Sequence, residues 1–244
     1  MIDTFSAFDL PTCDCASRAS RAPCAASHFW QYGRATATAT AKETIMAGPT
    51  PEQVEHYVRM LEQLSDLSPC PGENLCWTVV RPHQAGLTVQ EVVRRLHGDP
   101  DTVTTYRPAD ADDDDDTVFL EQRGGTVIIV GYGTATAEED ALRRLSQSAT
   151  VHSVFWLINN FSRLYYLVDG VVVTEVETLS PLDQWGTDPE ALTDHLDALR
   201  DLHDRSGPGP DWETAMATLE SLTGQRLDAD WFARPQLLTK VNRR

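Results

Sequence analysis

Two helix signals of nearly the same grammar, "TVQEVVRRL" (88–96) and "TAEEDALRRL" (136–145), recur at an offset of 49 residues, Arg95 against Arg144. An apolar, strand-like run precedes each: "LCWTVVR" (75–81) before the first and "GGTVIIVGYG" (124–133) before the second. Strands follow each as well, so strand, helix, strand occurs twice. A short helix of this kind must lay its apolar stripe on the sheet made by the strands around it. The chain is therefore expected to be α+β: a mixed, mainly antiparallel sheet built from two β-α-β-like units, with helices packed on it and a helical C-terminal part. Val79, Val80, Ile128, Ile129, Val154, Phe155 and Leu157 should lie on the sheet, and Val92, Val93, Leu96, Leu142 and Leu145 beneath the helices.

Start and stop signals divide the rest. Thr50-Pro51-Glu52-Gln53 is an N-cap, a proline at the first helical position and a capping-box Gln, and Val54, Tyr57, Val58, Leu61 and Leu64 then make one stripe. Thr88 to Glu91 and Thr136 to Glu139 are read as further caps. "TVFLEQR", "VHSVFWLIN", "RLYYLVDG" and "VVVTEVET" alternate as strands, with Asn159-Asn160 and Asp169-Gly170 as hairpin turns. A helix is expected from Asp188-Pro189, with Leu192, Leu196, Leu199 and Leu202 on one face. A second runs from Trp212 to Gly224, and a short one carries Trp231 and Phe232. Residues 46–244 then form a single α+β domain. Residues 1–45 hold ten alanines, four acids and four bases with no usable apolar period, which reads as disordered low-complexity sequence, with Met46 as an alternative start of translation.

Charge narrows the partners. With 20 Lys plus Arg against 37 Asp plus Glu, the net charge is -17, and such a field disfavours nonspecific binding to a phosphate backbone. No apolar run reaches bilayer length and the first residues lack a signal peptide's pattern, so a cytoplasmic protein with no membrane partner is expected. Five cysteines, three of them crowded before residue 25, do not make a disulfide framework.

Candidate chemistry is sparse. Gly131-Tyr132-Gly133 resembles a phosphate-binding turn, but Thr136 stands where a third glycine belongs, and Glu138, Glu139 and Asp140 would repel an anion. A tight structural turn is the expectation. Asp110 and Asp112 to Asp116 form an acidic loop whose sixth and twelfth positions, Thr117 and Arg123, do not fit a calcium-binding loop. Cys13, Cys15, Cys24 and His28 are possible soft ligands for zinc, in a spacing that departs from the usual paired knuckles. No Gly-X-Ser-X-Gly elbow occurs, Cys76 begins a buried strand, and each lone histidine reads as surface or packing. The densest unusual stretch is "VFWLINNFSRLYYLVDG" (154–170). Its aromatics alternate as core of a hairpin would; alternatively Trp156, Asn159, Asn160, Arg163 and Tyr165, with Trp185, form a ligand or partner surface.

The segments "GLT" before the first capped helix, "RRLS" ending the second, the "DG" hairpin, "WGTDP" and "LTG" together resemble a widespread actinobacterial family of uncharacterised proteins. The resemblance covers Leu75 to Phe232. It implies a domain of unknown function and transfers no catalytic residue. From these residues a non-enzymatic protein-interaction or regulatory module is expected, with no cofactor. A small-ligand binder or enzyme using the sheet end near Gly131 to Gly133 and Asn159 to Arg163 is the alternative, and a metal protein using Cys13, Cys15, Cys24 and His28 the second.

Overall fold

The computed structural model describes residues 48–112, 114, 116–205, 209 and 211–241. They belong to the second of the two units into which the chain divides, residues 44–244. The expectations for residues 1–45, including Cys13, Cys15, Cys24 and His28, lie outside the described residues.

Helix α1 (Pro51–Gln63) starts on the expected capping box: Thr50 Oγ1 accepts from Gln53 N and Gln53 Oε1 accepts from Thr50 N. Strand β1 (Leu75–Pro82) leads to α2 (Val89–Arg95), capped by Thr88. After β2 (Thr104–Tyr106) come β3 (Thr117–Arg123) and β4 (Thr126–Gly131), then α3 (Glu139–Leu145). The meander β5 (Ala149–Leu157), β6 (Phe161–Val168), β7 (Val171–Glu177) and β8 (Gln184–Trp185) follows. Helices α4 (Asp197–His203), α5 (Asp211–Thr223) and α6 (Ala229–Ala233) precede a last strand, β9 (Gln236–Lys240).

The strands form one sheet in the order β2-β9-β3-β4-β1-β5-β6-β7-β8. The expected α+β fold with a mainly antiparallel sheet is present, and among the described residues every neighbouring pair is antiparallel, with no parallel neighbours from the two β-α-β-like units. The reason is interleaving. In β1-α2-β3 the two strands run parallel with β4 between them, and in β4-α3-β5 they run parallel with β1 between them. Each unit fills the gap in the other, giving the split β-α-β arrangement of ferredoxin-like sheets, extended here by strands at both edges. The echoed arginines join the two helices: Arg95 Nη1 donates to Leu145 O and Gln147 O at the end of α3, while Arg144 Nε donates to Arg95 O at the end of α2. Each satisfies carbonyls that a helix end leaves without intrahelical partners.

Alternation along the strands sends side chains to two cores. Cys76, Val80, Ile129, Val151 and Leu167 face α2 and α3, whereas Trp77, Val79, Ile128, Val154 and Trp156 face α1, α4, α5 and α6. All the sheet and helix core residues expected from the echo are buried except Leu157, which is half-buried.

Three local expectations need correction. The N-cap of α3 is Glu138, not Thr136, because the Thr136 hydroxyl turns inward to donate to Cys76 Sγ. The helix expected from Asp188 begins only at Asp197, after a 3-10 turn at Thr193–His195. Asp188 is held by β7 instead: its N–H donates to Val173 O, and its carbonyl accepts from Thr174 Oγ1. Strand β9, in a stretch read as helical, inserts between β2 and β3.

Candidate functional site

Helices α2 and α3 have seven residues each, about 10 Å of helix. They cover the central strands, and among the described residues no helix lies above the far ends of β6, β7 and β8 on this side. Register then decides which residues share that face. Phe155 lies opposite Arg163, Arg163 opposite Glu177, Tyr165 opposite Glu175, and Glu175 opposite Trp185. Directly opposed residues point to the same side of a sheet, so these six make one cross-strand cluster.

A bulge produces it. Counted from the Asp169-Gly170 turn, Val168 pairs with Val171 and Leu167 with Val172, but Tyr166 pairs with Thr174. The extra residue, Val173, shifts parity and brings Glu175 and Glu177 to the side of Arg163 and Tyr165. Gly186 locks the shift, since a Cβ there would stand 2.2 Å from Val173 O.

Arg163 is the centre of the cluster. Its Nε donates to Glu175 Oε1 at 3.1 Å, a second ion pair joins it to Glu177, and Nη1 donates to Ser162 O. The guanidinium lies over the Phe161 ring at 4.6 Å and over the Trp185 ring at 5.6 Å. Tyr165 Oη donates to Glu175 Oε1, and its ring stacks on Phe155. Burial, followed by the nearby Glu175 charge, pushes the Tyr165 phenol well above its ordinary range. One cation between two carboxylates leaves a net charge of -1. Above this fixed base Phe161 remains 43% exposed and Trp185 48%, and Ile158 and Leu182 in adjoining turns are 67% exposed. Phe161 and Trp185 thus leave nearly half of each side chain, and Ile158 and Leu182 about two thirds, facing solvent.

Of the residues singled out from sequence, Arg163, Tyr165 and Trp185 are brought together. Asn159 and Asn160 form the β5–β6 turn, where Asn159 Oδ1 accepts from Phe161 N and Asn160 takes a φ of 63°. Trp156 is on the opposite face, fully buried and stacked on Trp212 with ring centroids 5.7 Å apart. Glu175 and Glu177 were not legible, because simple counting from the turn misses the bulge.

The other motifs resolve as structure. Gly131, Tyr132 and Gly133 are buried, with Tyr132 packed on Phe119 and donating to Pro108 O. Thr78 and Ser153 hydroxyls bond at 2.7 Å beside Cys76, whose thiol burial pushes up, against the lesser pull of the hydroxyls of Thr136, Thr78 and Ser153. With no exposed surface, this thiol packs as a small core residue. In the aspartate loop Asp114 pairs with Lys240 at 2.8 Å, and this hydrogen bond, with one from Asp116 N, holds its carboxyl below the ordinary range. Among the described residues no group of three or more His, Cys, Asp or Glu is placed to hold a metal ion.

The model of a family described as "Family of unknown function (DUF6461)" matches residues 64–240, most of the chain. The chain belongs to this family. Neither a curated protein nor a solved structure matches the DUF6461 chain. The segments that marked the resemblance now have places in the fold. Thr88 caps α2, Ser146 Oγ accepts from Gly170 N at the hairpin turn, Gly186 to Asp188 clamp the bulge, and Gly224, at φ 65°, follows α5. In this DUF6461 protein the marks specify caps, turns and a bulge.

Proposed function

We propose that this protein is a non-enzymatic interaction module whose contact surface is the outer face of β6, β7 and β8. The partner segment lays apolar side chains on Phe161 and Trp185 and sets a basic group toward Glu175 and Glu177. The observation that carries the reading is the mounting of Phe161 and Trp185: two half-exposed rings rest on one guanidinium, itself fixed by two carboxylates. Rigid aromatic anchors lose little freedom on binding, which is what interface hot spots require. The net negative charge and the motif resemblance support a cytoplasmic setting in an actinobacterium as part of the same proposal. No helix among the described residues is long and apolar enough to cross a membrane.

Photo-cross-linking tests the surface. With benzoylphenylalanine in place of Trp185 or Phe161, both positions should trap the same cellular protein, and the same group in place of Val171, exposed elsewhere on β7, should not. Equal trapping from all three positions, or none from any, would remove the proposal.

A further inference from the structure

Away from the sheet face, a groove of about 700 Å³ runs between α1 and α4. Val54 and Val58 line it from α1 and Ala198 and Leu202 from α4, each pair spaced i, i+4 and therefore stacked along one helix face. All four are only half-buried, whereas Tyr57, Met60 and Leu61 on α1 and Leu199 on α4 are buried in the core. The apolar stripe of each helix is wider than its own core uses. Two such ridges side by side form a trough that accepts the apolar stripe of a third helix.

The wall of the trough is acidic. Asp194, Asp197 and Asp201 line it from the α4 side and Glu55 from α1, with Arg205 as the basic lining residue among the described residues. Asp197 is paired with Arg200 and Glu55 with Arg59, but among the described residues neither Asp194 nor Asp201 is in an ion pair. An apolar floor beside unneutralised carboxylates repels anionic lipid and nucleic acid and attracts a cationic amphipathic segment.

We infer that this groove docks a basic amphipathic helix of a partner protein, about two to three turns long, apolar residues down and Lys or Arg against the aspartates. It is a second surface. Its failure leaves the reading of the β6–β8 face standing, and the reverse.

The test uses the full chain and a synthetic leucine/lysine helix of about 18 residues patterned for one apolar stripe, with its leucine/glutamate counterpart as control, followed by fluorescence anisotropy. The lysine peptide should bind, more weakly as salt rises, and the glutamate peptide should not. Val58→Asp, and separately the pair Asp194→Asn with Asp201→Asn, should each weaken binding about fivefold or more. The pair Asp101→Asn with Asp140→Asn, which removes the same charge from exposed positions elsewhere, should leave it unchanged, as should Trp185→Ala. Equal binding by all variants would reduce the effect to bulk charge and overturn the inference. Absence of binding would overturn it too, as would a self-association that Val58→Asp abolishes, which would make the occupant a second copy of the chain.

Discussion

His152 stacks on Tyr166 with ring centroids 4.8 Å apart, and burial, then the charges of Arg81 and His195, bring its imidazole down to about 4. The unfolded chain takes up this proton near the ordinary value of 6.5, the folded chain only near 4. Between those values the unfolded state binds more protons, so the contribution to stability is full above pH 6.5 and falls by about 3 kcal/mol as pH drops to 4. His152→Phe keeps a ring on Tyr166 and removes the titration. Urea unfolding across that window should show a flatter slope for the variant, and an unchanged slope would mean that His152 does not titrate this way. Gly186 is the second decisive residue. At φ 122°, with Val173 O 2.2 Å from where a Cβ would stand, Gly186→Ala should cost about 3 kcal/mol or more, read as a lowered thermal midpoint. At this scale the sequence is readable where a residue's own chemistry sets its neighbourhood, as Thr50 and Asp169-Gly170 do. It is unreadable for Glu175 and Glu177, whose side of the sheet depends on Gly186 tolerating a bulge one strand away.

Element by element, local signals hold where nothing distant competes with them. Helix α1 has both halves of its capping box, and Thr50→Ala should lower stability by about 1 kcal/mol in chemical unfolding; no change would show that the box is redundant with the packing of Tyr57, Met60 and Leu61. Helix α3 keeps its place but loses its expected cap, since it begins after Glu138 and the Thr136 hydroxyl points to the buried Cys76 thiol instead. The 188–196 stretch carries a sound helix signal, and β7 takes its backbone first. Strand β9 lies in a stretch expected to be helical, for a related reason. "QLLTK" is short and holds a single β-former, Thr239, and it becomes a strand because β2 and β3 present open edges to it. Leu202 and Val58 lie on apolar stripes that the sequence shows, and only the relative placement of α1 and α4 makes them line a groove.

For the molecule as a whole, the echo between "VRRL" and "LRRL" is the feature that predicts most. It places two units on one sheet and, through Arg95 and Arg144, ties their helices to each other. What the echo leaves open is whether the units lie side by side or interleave, and the antiparallel neighbours of β1 decide for interleaving. Removing the reciprocal tie with Arg95→Ala and Arg144→Ala should lower the thermal midpoint by several degrees without changing the far-ultraviolet spectrum. The site lies where the echo ends, on strands that the repeated unit does not need. Quantitative affinity capture with the full chain, beside a Phe161→Ala/Trp185→Ala variant of matched folding, measures the central claim. If the outer face of β6–β8 is the contact surface, at least one reproducible partner is recovered with the unchanged chain and falls about tenfold or more with the variant. Equal recovery by both would contradict it.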